Sequence, residues 1–432
     1  MSKFFVAATL LGNLAIALPP PTARRDASLL PLSTKGRDII DNNGDIFHFM
    51  STNWPGHQET MIPEGLQHAS IEDIVAWFPR FGLNSVRLTF AIEMIDDIFS
   101  NSPNQTLEKS VLNALGEKNG TIVLNQILER NPQLTKETTR LEVFDSVAKE
   151  FAKKNIIVHL DNHVSKAFWC CGENDGNGWF GEEYFDVKKW IRGWSYITKH
   201  VKNWPTFASA GLRNELRNAN NAEPVDWYTW YVHMTSAANA VHEADPDALI
   251  FFSGLSYDTY IDPIPLGKML NGTDETATEG KSVIFIPNNF PYKDKIVLEI
   301  HKYDFEATQD DCPTFKSKWY EKGFQALDAS NPATKYLFPM VLSEWGFIHN
   351  GTYWSQTTYN KCLIEMVEDW QFSWQHWELS GSFYLQTRPN RTPNTIQGLE
   401  EFWGLLNYDW STVRSPVTIE NSLSKMITAL KE

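Results

Sequence analysis

Two glutamates raise the question of chemistry. Glu215 ends the run FASAGLRNE (207–215), and Glu344 lies in PMVLSEWG (339–346). In both, small and apolar residues lead to a carboxylate at the tip, where a buried strand has no local use for one. A carboxylate taken out of water without a partner is costly, so it shifts its pKa or finds a partner. Two acids facing one mouth would do both. Such a pair is suited to cleaving a glycosidic bond: one acid attacks the anomeric carbon, the other protonates the leaving oxygen and then activates water. The proton donor needs a raised pKa, and the nucleophile needs nearby cations and hydrogen bonds. Arg87 in NSVRLTF is a suitable cation, and Asn214 could hold a sugar 2-hydroxyl.

Other polar residues stand at the ends of similar runs: Asn53 and Trp54, Asp161 and His163, His301 and Tyr303, Trp345, and Trp377. Taken singly, each has a plainer role. A strand-end glutamate is more often a surface ion pair, His163 a hydrogen-bonded structural histidine, and the 17 tryptophans core packing. Trp169 and Trp179, in FWCCGENDGNGWFGEEYF (168–185), belong either to a folded loop or to a sugar-stacking platform. Their co-occurrence, in the order one site would require, favours the chemical reading.

The elements that must position these residues are short apolar runs alternating with helical patterns. Eight strands are expected within 45–54, 84–90, 155–163, 207–215, 248–256, 295–303, 339–346 and 371–379. Helices are expected over 70–82, with Ser70 and Asp73 as a capping pair, and over 140–155, 226–246 and 358–370. In 140–155, Leu141, Phe144, Val147, Ala148 and Phe151 share one face. The pattern predicts an α/β fold, a (β/α)8 TIM barrel with long βα loops, since 432 residues exceed the usual barrel of about 250. A doubly wound sheet lacks its Gly-rich turn after the first strand. Polar residues at the carboxyl ends of barrel strands lie where barrel chemistry sits.

The chain is expected to begin with a signal peptide over 1–17, with Lys3, an apolar core and Ala15-Ile16-Ala17, followed by a pro-segment over 18–27 containing Arg24-Arg25. Residues 28–432 then form a single barrel domain, and a secreted, extracellular protein is expected. Asn104, Asn119, Asn271, Asn350 and Asn390 head glycosylation sequons. The four cysteines suit an oxidising compartment. Adjacent Cys170 and Cys171 have poor geometry for bridging each other, so each is expected to reach Cys312 or Cys362. No CxxC spacing or matching His pair suggests zinc; neither metal nor cofactor is expected. A formal charge of −15 repels nucleic acid and anionic membranes and suits a neutral substrate.

These residues resemble glycoside hydrolase family 5, the cellulase A family of retaining (β/α)8 glycosidases. The likeness rests on Arg87 in SVRL, His163 in LDNH, Asn214-Glu215 in LRNELR, His301 and Tyr303 in IHKY, Glu344 in LSEWG and Trp377 in WQHWELSGS. It spans roughly residues 38–430. It implies Glu215 as acid/base, Glu344 as nucleophile, and Tyr303 hydrogen-bonded to Glu344. It also implies His301 on the acid/base side and Trp377 as the floor under the sugar. Asp161 and Asn162 are given supporting roles at most. Many members read Asn-Glu-Pro where this chain reads Asn214-Glu215-Leu216-Arg217, and the loops look like a less-studied fungal and plant branch, so substrate carries over less readily than catalytic roles. The expectation is a monomeric β-glycosidase acting on a cell-wall polysaccharide, first an endo-β-1,4-glucanase. The alternatives are another β-linked substrate (mannan, a glycoside or a glycolipid) or a catalytically silent carbohydrate-binding or signalling barrel. No nucleic acid or membrane partner is expected.

Overall fold

The computed structural model describes residues 29–100, 105–273, 277–303, 311–349, 356–388 and 394–430. The expected signal and pro-segments and the sequons at Asn104, Asn350 and Asn390 lie outside these residues; Asn119 and Asn271 are exposed. Eight strands, all paired in parallel, close into a barrel. They are β1 (Met50–Trp54), β2 (Ser85–Ala91), β3 (Ile157–Val164), β4 (Phe207–Gly211), β5 (Leu249–Ser253), β6 (Ile296–Tyr303), β7 (Met340–Gly346) and β8 (Ser373–His376). Six fall within an expected run, β2 and β3 overrun theirs by one residue at Ala91 and Val164, and β8 closes onto β1 through Trp374 beside Met50. The fold is the (β/α)8 TIM barrel read from the pattern.

Alternation along the strands decides what enters the lumen. In β6, Ile296, Leu298 and Ile300 join the large core under the helices, leaving Val297, Glu299, His301 and Tyr303 on the other face. In β3, Val158 and Leu160 face that core, and Ile157, His159, Asp161 and His163 alternate with them. The inward sets run from apolar at the strand start to polar and ionisable at the end. Ile157, Ala208, Leu249, Phe251, Val297 and Val341 pack with Leu32, Ile39, Phe47 and Phe49. This second cluster fills the amino-terminal end of the barrel beneath a small antiparallel pair, Ser33–Lys35 with Asp38–Ile40.

The expected helices form at Arg140–Lys153, Trp227–Ala244 and Thr358–Trp370, while the 70–82 segment divides into Ile71–Val75 and Trp77–Arg80. The Ser70 side chain accepts from the Asp73 amide as its spacing implies, and Thr139 with Glu142 completes a capping box. Further helices, among them Ile92–Ser100, Leu107–Arg130, Val187–Val201 and Cys312–Lys322, lie outside the expected segments. Among the described residues no helix is long and apolar enough to cross a membrane.

The expected cysteine pairing is corrected. Cys170 bridges Cys171, and Cys312 bridges Cys362 with Cα atoms 5.0 Å apart. The reason is topological: Cys312 and Cys362 lie on the packed helices Cys312–Lys322 and Thr358–Trp370, while the adjacent pair lies in the loop after β3, where each has only the other as a partner. Replacing Cys312 and Cys362 together by serine frees a 50-residue separation. We expect a loss of about 2–4 kcal/mol, read as a lower denaturation midpoint. Non-reducing peptide mapping should find no peptide joining Cys170 or Cys171 to Cys312 or Cys362.

Candidate active site

The carboxyl ends of the strands surround a cavity of about 710 Å³. His163, Trp169, Asn214, Glu215, His301, Tyr303, Glu344 and Trp377 line it, and Arg87 lies fully buried below. Nine of the ten expected site residues are thus brought together. Trp179 is the exception: it is buried in the core, its indole N–H donating to the Pro224 carbonyl at 3.1 Å and its ring 4.8 Å from Phe180. The loop that carries both tryptophans therefore divides, with Trp169 at the cavity and Trp179 as packing.

Arg87 sits mid-strand in β2 and reaches four acceptors. Nη1 donates to Glu344 at 2.7 Å and to Asn53 at 2.8 Å; Nη2 donates to Asp161 and to Asn214, both at 2.9 Å. Burial opposes its charge, but Asp161 and Glu344 outweigh that and hold the guanidinium charged. Asp161 also accepts a hydrogen bond from His163 Nδ1 at 2.8 Å, and the His163 ring stacks on Trp377 at 5.1 Å with 12° between planes. Asn214, its oxygen turned to Arg87, points its amide nitrogen towards His163 Nε2 at 3.4 Å and towards the Cys170–Cys171 sulfurs at 3.5 and 3.6 Å.

The two glutamates meet over one imidazole. His301 Nδ1 is 3.1 Å from Glu215 Oε1 and 3.5 Å from Glu344 Oε2, and one oxygen of each acid lies within 4.8 Å of the other. Their surroundings differ. Glu344 has the Arg87 ion pair on Oε1 and the Tyr303 hydroxyl donating to Oε2 at 2.8 Å. Glu215 has no Arg or Lys within ion-pair distance of its carboxylate among the described residues. Burial raises its pKa to about 7, only partly offset by Arg217 and Arg87. Burial also raises Glu344, against the pull of His301 and Arg87. Burial lowers His301 to about 4, so its ring is neutral near pH 7. Burial pushes Tyr303 well above the usual phenol range, which keeps its proton for donation.

Sequence reasoning missed the scaffold of Glu215. This residue has φ of 48°, in the left-handed region that a non-glycine residue seldom occupies. Its amide donates to Asp258 Oδ2 at 2.7 Å, and the Asp258 carbonyl accepts from the His301 amide at 2.8 Å. Asp258, fully buried, so links the loop after β5 to both β4 and β6. On the other side Arg217 donates to the Glu215 carbonyl at 2.8 Å and grips Asp175 with two bonds, at 2.8 and 2.7 Å. Arg213 anchors the start of the turn on Asn162 and Ser165 at 3.2 and 3.1 Å, its guanidinium 4.1 Å from the Phe185 ring centre. The two arginines flanking Asn-Glu are therefore the pins of this turn. The signal available for Asp258 was an acid just beyond the apolar run 248–256; for His57, which also lines the cavity, it was a histidine three residues past the tip of β1.

Glu215, His301 and Glu344 offer three ligand atoms to a cation, but the same atoms make up the acid pair. Cys170 and Cys171, close to Glu215, are tied to each other and supply no thiolate.

Comparison with known proteins agrees with this geometry. The family model described as Cellulase (glycosyl hydrolase family 5) matches residues 41–382. A glycosyl hydrolase 5 family protein of Chamaecyparis obtusa is 30% identical over 398 residues, covering 90% of this chain and 64% of that protein. The major extracellular endoglucanase of Xanthomonas campestris pv. campestris is 23% identical over 220 residues, or 51% of this chain and 38% of that one. The solved catalytic domain of that endoglucanase overlays with a TM-score of 0.63 at 16% identity, covering 93% of this chain and 100% of the domain. A cellotetraose complex of an endocellulase from Pyrococcus horikoshii gives 0.64 at 16% identity, with coverages of 93% and 100%. At such identities the solved structures speak for the fold alone. The family match, which runs from residue 41 through all eight expected strand ends and past Trp377, carries the assignment: this chain belongs to glycosyl hydrolase family 5.

Proposed function

We propose that this protein is a secreted, glycosylated, retaining β-glycosidase acting on a cell-wall polysaccharide, foremost as an endo-β-1,4-glucanase. Glu344 is the nucleophile and Glu215 the acid/base. One observation carries the reading: of two acids sharing His301, Glu344 has the cation and the phenol, and Glu215 has neither. Glu344, ionised beside Arg87, attacks the anomeric carbon while Glu215 gives its proton to the leaving oxygen. Glu215, now a carboxylate, takes a proton from water, which attacks the glycosyl-enzyme ester and releases Glu344. Oxygens within 4.8 Å suit this double displacement, whereas inversion needs carboxyls about 6.5–9.5 Å apart to admit the water. Trp377, held by His163, is the floor under the sugar, and Asn214 offers its amide to the 2-hydroxyl. The similarity to an endoglucanase and to an endocellulase solved with cellotetraose supports the choice of substrate.

Glu344→Ala should lower kcat on an aryl β-glucoside or β-cellobioside by more than about 1,000-fold. Added azide should restore turnover and give a glycosyl azide of opposite anomeric configuration; no turnover in the wild type on any β-glycoside of a broad panel would refute the enzyme. The pH profile should be a bell. Glu344 must be ionised and its pKa is raised, so the acid limb lies above the ordinary glutamate range. Glu215 must be protonated, so activity falls as pH rises through about 7. Glu215→Ala should remove the alkaline limb and spare substrates with activated leaving groups. Asp258→Ala, which frees the Glu215 amide, should lower kcat by about 10- to 100-fold with little change in KM, measured on the same substrate.

A further inference from the structure

A third acid in the cavity has no part in the double displacement. Glu401 lines the chamber with Trp403, on the loop beyond β8, and is partly buried. Its Oε1 accepts the Trp403 amide at 2.8 Å. Its Oε2 has no hydrogen-bonding partner among the described residues and is not among the buried, unpartnered oxygens, so it is left to the cavity. Glu378, fully buried next to Trp377, lines the same chamber, one of its oxygens taken by the Ser380 hydroxyl at 2.6 Å.

The two segments are fixed to each other. The Glu401 amide donates to the Gly381 carbonyl at 3.0 Å, and the Leu405 amide to the Glu378 carbonyl at 2.9 Å. A Cβ at Gly404 would lie 1.6 Å from the Ser380 carbonyl oxygen, so only glycine permits this approach. Trp403 in turn meets Tyr303, the partner of Glu344, with ring centres 5.6 Å apart. The carboxylate is therefore presented from a rigid frame next to Trp377 and on the nucleophile's side of the chamber. The other side, around Glu215, is walled by Trp169, Cys170, Cys171 and Tyr257. The sugar that becomes bonded to Glu344 must lie on the first side, and the leaving group on the second.

We infer that Glu401 is a specificity-determining residue, its free Oε2 accepting a hydroxyl of the sugar that lies over Trp377. This rests on the glycosidase reading above. A carboxylate held through one oxygen by a backbone amide presents the other as a fixed acceptor, and a site built to bond a hydroxyl rejects a sugar lacking it because the acceptor is left unpaired.

The test uses the full chain, Glu401→Ala and Glu401→Gln, and activated aryl β-glucosides deoxygenated in turn at positions 2, 3, 4 and 6. Wild type should lose about 10- to 100-fold in kcat/KM at one of positions 3, 4 or 6. Glu401→Ala should lose a similar factor on the parent glucoside and nothing further on that deoxy sugar, with Glu401→Gln between them. Equal losses by the alanine variant on every sugar, or a wild type indifferent at positions 3, 4 and 6, overturn the assignment. Thermal midpoints check that both variants fold, and the sugar-to-sugar ratio is independent of how much folded enzyme is present. If wild type cleaves no glycoside, the glycosidase reading falls, and Glu401 is judged by tryptophan-fluorescence titration with cellotetraose. Binding to Glu344→Ala that weakens at least about 10-fold in Glu344→Ala/Glu401→Ala supports it; equal affinity, or no binding to either, overturns it.

Discussion

The guanidinium of Arg87 is the constraint on which the site depends. It is fully buried, and its four short hydrogen bonds bring together the tips of β1, β3 and β7 and the turn after β4. A buried cation is tolerable only with its charge answered and its protons used, and Asp161 and Glu344 answer it together. The dependence is mutual. Without the guanidinium, two buried carboxylates would face each other across the lumen, and Asn53 and Asn214 would lose the donor that orients them.

From this fixed point the two acids acquire different characters. Glu344 belongs to β7 and inherits the strand's rigidity and the charge of Arg87. Glu215 stands on a left-handed turn outside the sheet, held by Asp258 on one side and by Arg217 with Asp175 on the other. Strained backbone of this kind persists only where its surroundings over-determine it. The three buried groups do so, and the carboxyl they carry has no cation of its own, so burial governs its proton. Position in the fold, rather than residue type, gives the two glutamates their different surroundings.

The sheet and the polar layer at its carboxyl end were legible because both are written locally. Each strand is an apolar run with a polar residue at its tip, and period-two alternation fixes which residues face inward; Arg87, Glu344 and His301 follow from it directly. What escaped notice depends on contacts distant in sequence. Asp258 is defined by an amide 43 residues away, and Asp175 by Arg217, 42 away. Trp179 could not be told from Trp169, since both lie in one aromatic loop and only its packing separates them. The helix Leu107–Arg130 left no clear stripe because Gly116, with φ of 76°, breaks its course. The cysteine pairing failed for a related reason: a rule about neighbouring residues gave way to where the chain carries them.

The apolar cluster under the barrel has a bearing on traffic. Phe47, Phe49 and Phe251, with Leu32 and with Ile39 of the small antiparallel pair, stopper the amino-terminal end of the lumen. Among the described residues the lumen is therefore closed at that end, and the chamber lies at the carboxyl ends of the strands. On the glycosidase reading proposed above, substrate, water and both products would all pass that one end of the barrel, so clearing it would precede each new round.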